Sequence, residues 1–219
     1  MNSREQQLAD YDYMLKFVAL GDSGVGKTSI LLRFTDETFE SRFGATVGID
    51  FKEKRVSRDR KRFSIQFWDT AGQERFRGVA TALFRSAMGF LLVFDLTNKQ
   101  SFVNLRDWLE QIKTHSYTQT PHIVIVGNKL DLAARRTVTT AEAEEMAGKL
   151  NLPYIECSAC TGKNVELAVH KLLDIVMKTI ETTVPTPGDS HLCQLIPTPD
   201  PEISLDPEEV NTDQDSCAC

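Results

Sequence analysis

Apolar residues in this chain form short unbroken runs that alternate with segments in which apolar positions follow a helical period. The runs have strand length and span residues 15–20, 90–96, 122–128 and 154–158. Their unbroken apolar character predicts parallel strands that are buried on both faces. Helical periods occur at residues 27–34, 99–114, 140–150 and 164–180. Strands that alternate with helices predict a doubly wound α/β fold.

One segment departs from this alternation. The sequences "FKEKRV" and "FSIQFW" flank the polar turn "SRDRK", and this arrangement predicts an antiparallel hairpin. We therefore expect a six-stranded mixed sheet with helices on both faces. Thr139 and Glu142 have the spacing of a capping box, which predicts where the helix at 140–150 begins.

Charge and proline content divide the chain of 219 residues into two parts. From Val184 onward there are eight acidic residues, six of the eight prolines and no Lys or Arg, whereas the other 23 of the 31 acids share residues 1–183 with all 25 bases. Such a segment buries too little apolar surface to offset the entropy of ordering. We predict a flexible N-terminus at 1–12, a folded domain at 13–181 and a disordered, acidic, Pro-rich tail at 182–219.

Composition also limits the class of protein. The first ten residues are polar and charged, unlike a secretory leader, and the longest apolar run, "GFLLVFDL", is too short to cross a bilayer. Five cysteines without the spacing of a disulfide framework fit a reducing compartment. We therefore expect a soluble protein of the cell interior.

Residues 21–28, "GDSGVGKT", fit the pattern of a phosphate-binding loop, with a strand before it and a helix after it. Its glycines would let successive backbone N–H groups point at phosphate oxygens, and the helix N-terminus adds the positive end of its dipole. Lys27 would reach the β- and γ-phosphates, and the Thr28 hydroxyl would bind Mg²⁺. The alternative is a glycine turn that merely precedes a helix. The nucleotide contacts predicted in this stretch are Ser23, Gly24, Gly26, Lys27, Thr28 and Ser29.

The sequence "GNKLD" predicts the site for the base, because ligands of doubly wound folds lie at the carboxyl ends of strands. Asp131 can accept hydrogen bonds from N1 and the 2-amino group of guanine. Adenine lacks both donors and would leave the carboxylate unpaired. Asn128 can brace neighbouring loops, and the stem of Lys129 can cover the ring. In a second loop Ser158 and Ala159 should lie beside the base, where the Ala159 N–H can donate to the 6-oxo group.

The sequence "WDTAGQERF" predicts the side of the site that faces the γ-phosphate. Asp69 can hold Mg²⁺ through a water, and the Gly72 N–H can contact the γ-phosphate because glycine has no side chain to obstruct it. The predicted catalytic residue is Gln73, which would orient the attacking water. Upstream, Thr46 can add its hydroxyl to Mg²⁺. Phe39 could pack against the base or ribose, or it could belong to the core.

Taken together, these motifs resemble the Ras-like small GTPases over about residues 14–180. The stretches "VGIDF", "KRFSIQFWDTAGQE" and "FRSAMGF" are similar to the Rab family of membrane-traffic GTPases. "DYDYMLKF" and "MGFLLVFDLTNKQSF" are similar to its melanosome and secretory-granule branch. The resemblance implies a P-loop GTPase fold that binds GTP or GDP with Mg²⁺ and hydrolyses GTP slowly to GDP and phosphate. It implies a switch for docking or exocytosis of secretory granules or lysosome-related organelles.

The resemblance also implies partners. They are effectors that bind the GTP state, a guanine-nucleotide exchange factor, a Rab GTPase-activating protein, a Rab escort protein and a GDP-dissociation inhibitor; nucleic acid is not expected. The residues that map to effector contacts are Ile49, Phe51, Trp68, Phe76 and Leu83. Leu83 departs from the aromatic residue usual at its position, and Cys160 stands where relatives often have Lys. The hairpin also lacks an insertion that is usual in the granule branch.

The sequence finishes on "CAC", with Cys217 and Cys219, which is not a C-a-a-X box. In Rab-like proteins a terminal Cys-x-Cys resembles the signal for geranylgeranylation of both cysteines. Two lipid chains anchor stably where one holds only marginally, and an anionic bilayer would weakly repel the acidic tail. We expect attachment through two prenyl groups to the cytoplasmic face of granule or vesicle membranes, with a cytosolic pool. Two unmodified thiols are the alternative.

Other functions stay open at this point. A nucleotide-locked scaffold of the same fold would not turn over GTP, although nothing in the catalytic motifs favours it. An ATP-using phosphotransferase would lack guanine selectivity. A Rab of a different trafficking step is compatible with the altered sequence "GVATALF". Cys157 and Cys160 form a C-x-x-C that could mark zinc or redox chemistry, although no second pair at suitable spacing accompanies it.

Overall fold

The computed structural model describes residues 11–39, 49–70, 83–118 and 120–183. Within these ranges six strands form one sheet in the order β2-β3-β1-β4-β5-β6. Their bounds are Tyr13–Leu20 for β1, Ile49–Arg58 for β2, Lys61–Thr70 for β3, Gly89–Asp95 for β4, Ile123–Asn128 for β5 and Tyr154–Glu156 for β6. β2 and β3 pair antiparallel, and the other neighbours pair parallel. This arrangement confirms the predicted doubly wound mixed sheet.

The described helices lie on both faces of the sheet. Their bounds are Lys27–Asp36 for α1, Lys99–Val103 for α2, Leu105–His115 for α3, Thr140–Leu150 for α4 and Val165–Thr183 for α5. Apolar residues of α1 and α5 share one hydrophobic cluster, and those of α2, α3 and α4 share another. The sheet therefore separates two cores.

The unbroken apolar runs fold as central strands because both of their faces are covered. Every residue of β4 and β5 is buried. In β1, Phe17 and Ala19 join the cluster of α1 and α5, whereas Val18 and Leu20 join the other cluster. This division follows from the alternation of side chains along a strand. The carboxyl ends of these buried strands carry the candidate site.

Two of the differences from the predicted bounds have a visible physical cause. The helix expected at 99–114 is interrupted at Asn104, whose side chain accepts from Gln100 at 2.7 Å and donates to Asp22 at 2.7 Å. The strand expected at 154–158 ends at Glu156, because the Ser158 N–H turns away and donates to the Lys163 carbonyl oxygen at 2.9 Å.

The predicted capping box at the start of α4 is confirmed. The Thr139 hydroxyl accepts from the Glu142 N–H at 3.2 Å, and the Glu142 carboxylate accepts from the Thr139 N–H at 3.0 Å. Each side chain thus satisfies a backbone donor that the helix cannot pair itself.

The two ends of the chain are described only in part. Of the predicted segment at 1–12, the structure describes Tyr11 and Asp12, and the Asp12 N–H donates to the Arg62 carbonyl oxygen at 2.8 Å. α5 continues to Thr183, and the rest of the predicted tail lies outside the described residues. In the part of the chain that is described, no helix has the length and apolar character required to span a membrane.

Candidate functional site

The candidate site is built around the loop between β1 and α1, which turns tightly at two glycines. Gly21 and Gly26 have positive φ angles of 136° and 95°. A Cβ atom on Gly21 would lie 2.0 Å from the Val93 carbonyl oxygen, and one on Gly26 would lie 2.3 Å from Nδ2 of Asn128. Both positions therefore require glycine, and its absence of a side chain lets the loop approach β4 and β5 closely.

Lys27 is buried beneath this loop. Its Nζ atom donates hydrogen bonds to the carbonyl oxygens of Gly21 at 2.8 Å and Asp22 at 2.9 Å. Burial lowers the pKa of Lys27 to about 8, although the carboxylates of Asp69 and Asp22 oppose the shift. An ammonium group with so little hydration interacts strongly with an anion placed beside it. The other predicted phosphate contacts in the loop are Ser23 and Gly24, which are exposed, and Ser29, which is half-buried.

Two residues predicted to bind Mg²⁺ lie together. The Thr28 hydroxyl, in the first turn of α1, donates a hydrogen bond to Oδ2 of Asp69. Asp69 is buried near the end of β3. A hydroxyl and a carboxylate offer the oxygen ligands that Mg²⁺ prefers, so the pair fits this metal. The third predicted ligand, Thr46, lies outside the described residues.

The structure also shows a contact to the phosphate loop that the sequence analysis missed. The Asp22 carboxylate accepts hydrogen bonds from Nδ2 of Asn104 at 2.7 Å and Nε1 of Trp108 at 2.9 Å. These donors lie more than 80 residues away in sequence. The loop is therefore fastened to the start of α3.

Asn128 and Lys129 join the base side of the site to the phosphate loop. Nδ2 of Asn128 donates to the Val25 carbonyl oxygen at 2.9 Å, and Nζ of Lys129 donates to the Gly24 carbonyl oxygen at 2.8 Å. The Lys129 ammonium also lies 2.7 Å from a carboxylate oxygen of Asp95, a contact that the sequence analysis missed. The bracing role predicted for Asn128 is thus seen in the structure, and Lys129 adds a second brace.

The remaining base residues lie beside Asn128. Oδ1 of Asn128 accepts from the Ala159 N–H at 3.1 Å. The Ser158 hydroxyl donates to Oδ1 of Asp131 at 2.5 Å, so the exposed Asp131 carboxylate has a fixed orientation. The Thr161 N–H in turn donates to the Ser158 hydroxyl at 3.0 Å. Two loops from different strands thereby place a carboxylate and a backbone N–H side by side.

Cys157 precedes these residues and is buried, whereas Cys160 is exposed. Both thiols are free. Burial, reinforced by the nearby charge of Asp131, raises the pKa of Cys157 to about 12. A protonated, buried thiol is a poor nucleophile and a poor metal ligand. One thiol is buried and the other exposed, so the two do not share one site, which argues against zinc or redox chemistry at the C-x-x-C.

Phe39 follows the end of α1. Its side chain is 36% exposed, and it belongs to neither hydrophobic cluster. The alternative of a core aromatic is therefore excluded. Contact with the base or ribose remains the prediction for Phe39.

Of the residues predicted to face effectors, the structure describes the side chains of Phe51 and Trp68 on the hairpin and of Leu83 in the neighbouring hydrophobic cluster. Phe51 and Trp68 are register partners on β2 and β3, with ring centroids 5.2 Å apart. Phe51 is 42% exposed, whereas Leu83 is only 7% exposed and packs in the hydrophobic cluster that Trp68 also contacts. Nζ of Lys16 lies 4.3 Å from the centroid of the Trp68 ring. The surface thus consists of Phe51, which is exposed, and Trp68, which is half-buried and packs against the cluster of Leu83.

Other predicted residues lie outside the described part of the chain, and their roles remain predictions. They are Gly72, Gln73, Phe76, Cys217 and Cys219. Ile49 is described only by its backbone, at the start of β2.

Comparison with known proteins gives consistent matches. The Ras family profile matches residues 16–178. The Ras-related protein Rab-27A of Sus scrofa is 49% identical over 96% of this chain and 98% of its own length. Rab-27A of Rattus norvegicus is 54% identical over 80% of this chain and 84% of its own. Rab-27B of Homo sapiens is 54% identical over 80% of this chain and 85% of its own.

Proposed function

The chain belongs to the Ras family and, within it, to the Rab GTPases of the Rab-27 branch, which control secretory-granule and vesicle trafficking; from this premise we propose how its site works. GTP binds with its phosphates on the loop at 21–28 and its base between the loops of Asp131 and Ala159. One observation carries the proposal. Lys27, Thr28 and Asp69 lie beside the base loops at the carboxyl ends of the strands.

At the phosphate end, Lys27 supplies the positive charge. When GTP binds, the Lys27 ammonium gives up its hydrogen bonds to the Gly21 and Asp22 carbonyl oxygens and donates to the β- and γ-phosphates instead. The backbone N–H groups of the loop and the N-terminus of α1 add further donors. Because the ammonium is already desolvated, little water must be removed when the phosphates arrive.

Thr28 and Asp69, together with Thr46, would hold Mg²⁺. The metal would supply positive charge to neutralise the negative charge that develops during phosphoryl transfer. The side chains of this chain have a different task, which is to orient the γ-phosphate and the attacking water. Gln73 positions that water, and the Gly72 N–H contacts the γ-phosphate.

At the base end, selectivity comes from Asp131. Its carboxylate, oriented by the Ser158 hydroxyl, accepts hydrogen bonds from N1 and the 2-amino group of guanine. The Ala159 N–H, now bonded to Asn128, also donates to the 6-oxo group. Adenine has neither an N1–H nor a 2-amino group, so it would leave the acceptors of Asp131 that face the base unpaired.

The nucleotide state is communicated through β3. Asp69 points to the metal site, whereas its neighbour Trp68 points to the opposite face and packs against Phe51. A shift of β3 or of its continuation upon loss of the γ-phosphate therefore changes the aromatic surface. We propose that effectors bind this surface in the GTP state, and that exchange factor, activating protein, escort protein and dissociation inhibitor act on the same switch.

A paired pull-down tests this function. Protein loaded with a non-hydrolysable GTP analogue and protein loaded with GDP are each incubated with cytosol of secretory cells, and bound proteins are identified by mass spectrometry. We expect granule-tethering effectors with the GTP analogue only. Identical sets in both states, together with no conversion of GTP to GDP by the purified protein, would instead indicate a locked scaffold.

Replacing Gln73 by Leu should slow intrinsic GTP hydrolysis roughly tenfold or more, because leucine cannot orient the attacking water. Single-turnover decay of bound GTP measures the rate. GDP affinity should be unchanged, since Gln73 is not assigned to GDP binding. An unaltered decay of GTP would remove Gln73 from the mechanism.

We also propose that Cys217 and Cys219 carry prenyl groups. Replacing both by Ser should move the protein from membranes to the soluble fraction of cells, because no lipid remains to offset the repulsion of the acidic tail. Fractionation measures the distribution, and each single Ser variant serves as a comparison with one chain. GDP affinity should not change. Membrane retention of the double variant would refute the dual anchor.

A further inference from the structure

Arg33 joins two parts of the molecule that lie beside the proposed base site. It lies near the end of α1, yet its Nε donates to the Ala159 carbonyl oxygen at 2.9 Å and its Nη2 donates to the Cys160 carbonyl oxygen at 2.8 Å. Its Nη1 donates to the Glu37 carbonyl oxygen at 2.7 Å. One guanidinium therefore connects the end of α1 with a loop that is more than 120 residues away in sequence.

The contacts use the fork of the guanidinium. Nε and Nη2 lie on one edge of the group and bind consecutive carbonyl oxygens of the base loop, while Nη1 reaches in another direction to Glu37, just after the last residue of α1. A guanidinium offers five donors in fixed planar directions, and an ammonium does not reproduce this geometry. Arginine is therefore specifically suited to this position, beyond its positive charge.

Ala159 is held on both sides as a result. Its N–H donates to Asn128 at 3.1 Å, and its carbonyl oxygen accepts from Arg33 at 2.9 Å. If the peptide groups of Ala159 rotated, at least one of these hydrogen bonds would break, and Ala159 is buried. The direction of the Ala159 N–H, which the proposed function aims at the 6-oxo group of guanine, is thus set in part by Arg33.

The third contact concerns the segment of Phe39, which is predicted to contact the base or ribose. Glu37 has a left-handed backbone with φ 57°, which ends α1 and begins the segment that leads to Phe39. By bonding the Glu37 carbonyl oxygen, Arg33 fixes where this segment leaves the helix. The loop of Ala159 and the segment of Phe39 are consequently tied to each other through one side chain.

We propose that Arg33 is a positioning residue for guanine recognition, which aims the Ala159 N–H at the 6-oxo group and holds the Phe39 segment at a fixed distance from it. This inference rests on the proposed function, because it concerns the same base site. Arg33 does not touch the nucleotide. It acts through the two segments that do.

The test measures nucleotide release from Arg33→Ala and Arg33→Lys variants, using fluorescent GDP chased by excess unlabelled GDP. We expect release to accelerate roughly tenfold in Arg33→Ala, the effect of losing hydrogen bonds from a partly exposed charged donor. Arg33→Lys keeps the charge and should resemble the Ala variant, because an ammonium cannot bridge three separate carbonyl oxygens. Arg106→Ala, which removes an exposed arginine from α3, is the matched control and should release GDP like the wild type.

A second measurement distinguishes a misdirected Ala159 N–H from a general loosening of the base site. In 6-thio-GDP a sulfur atom, a weak acceptor, replaces the 6-oxo group while N1–H and the 2-amino group remain. The wild type should bind it more weakly than GDP, and this penalty should shrink in Arg33→Ala because the Ala159 N–H is no longer aimed. Thermal unfolding of the nucleotide-free variants verifies that they are folded.

The outcomes are distinct. Release at the wild-type rate in Arg33→Ala, or faster release with an unchanged sulfur penalty, overturns the positioning role. Restoration of slow release by Lys would show that charge alone matters and would also overturn it. Failure of the wild type to bind GDP would instead refute the proposed function on which the inference rests.

Discussion

An Asp131→Asn variant should lose guanine nucleotides and bind xanthine nucleotides instead. The Asp131 carboxylate offers two acceptors, which match the N1–H and 2-amino donors of guanine. An asparagine amide replaces one acceptor by a donor, and that donor faces the 2-amino group with no lone pair to receive it. We expect GDP affinity to fall on the order of 10⁴-fold, the loss typical of a site built to hydrogen-bond a substrate group when that hydrogen bond cannot form.

Xanthine carries a 2-oxo group, so the same amide donor then finds an acceptor. Ser158 supports this exchange, because its hydroxyl fixes Oδ1 of Asp131 at 2.5 Å and an amide oxygen can accept the same hydrogen bond. Competition of GDP and XDP against a fluorescent nucleotide measures the two affinities. Asp107→Asn, at an exposed position of α3, is the control and should keep the preference for GDP. An Asp131→Asn protein that still prefers GDP would show that Asp131 does not read the base.

The features that local sequence determines were predictable. Every residue of β4 and β5 is buried, so these strands show in the sequence as unbroken apolar runs. The capping box of Thr139 and Glu142 involves only residues three apart, and the structure contains it as predicted. The phosphate loop was predictable for the same reason, because its glycines and Lys27 lie within one short segment.

The features that depend on tertiary contacts were not predictable. Asp22 reads as an ordinary loop residue, and only the fold brings Asn104 and Trp108 within 2.7 and 2.9 Å of its carboxylate. Arg33 reads as the polar face of an amphipathic helix, and only the fold places it against the base loop. The break at Asn104 has the same origin, because its side chain is drawn to Asp22. Local propensity does not contain such long-range pairs.

Burial is another property that the motifs do not state. Leu83 and Phe51 both map to effector contacts, yet Leu83 is 7% exposed and packs in the hydrophobic cluster, whereas Phe51 is 42% exposed. Exposure depends on what covers a residue, and that is decided by tertiary contacts. The effector contacts of both residues remain predictions.

Replacing Lys27 by Met should abolish tight nucleotide binding while leaving the nucleotide-free fold intact. The ammonium is buried, and desolvation lowers its pKa to about 8, so its charge is retained near neutral pH at a cost in folding free energy. Methionine has a similar volume and carries no charge, and such replacements of buried charges are often neutral for stability. The phosphates, however, lose their buried cationic partner, and we expect GDP affinity to fall roughly 10²- to 10³-fold.

Two measurements on the same samples separate these effects. Nucleotide titration should show the loss of affinity, whereas thermal unfolding in excess EDTA without nucleotide should give a similar midpoint for Lys27→Met and wild type. Lys149→Met, which removes an exposed ammonium from α4, should change neither. Between pH 8 and 10.5 the unfolded wild type binds more protons at Lys27 than the folded one does, so this group makes its stability rise with pH. The variant should lack that contribution. A Lys27→Met protein that binds GDP as tightly as the wild type would show that its buried charge does not serve the phosphates.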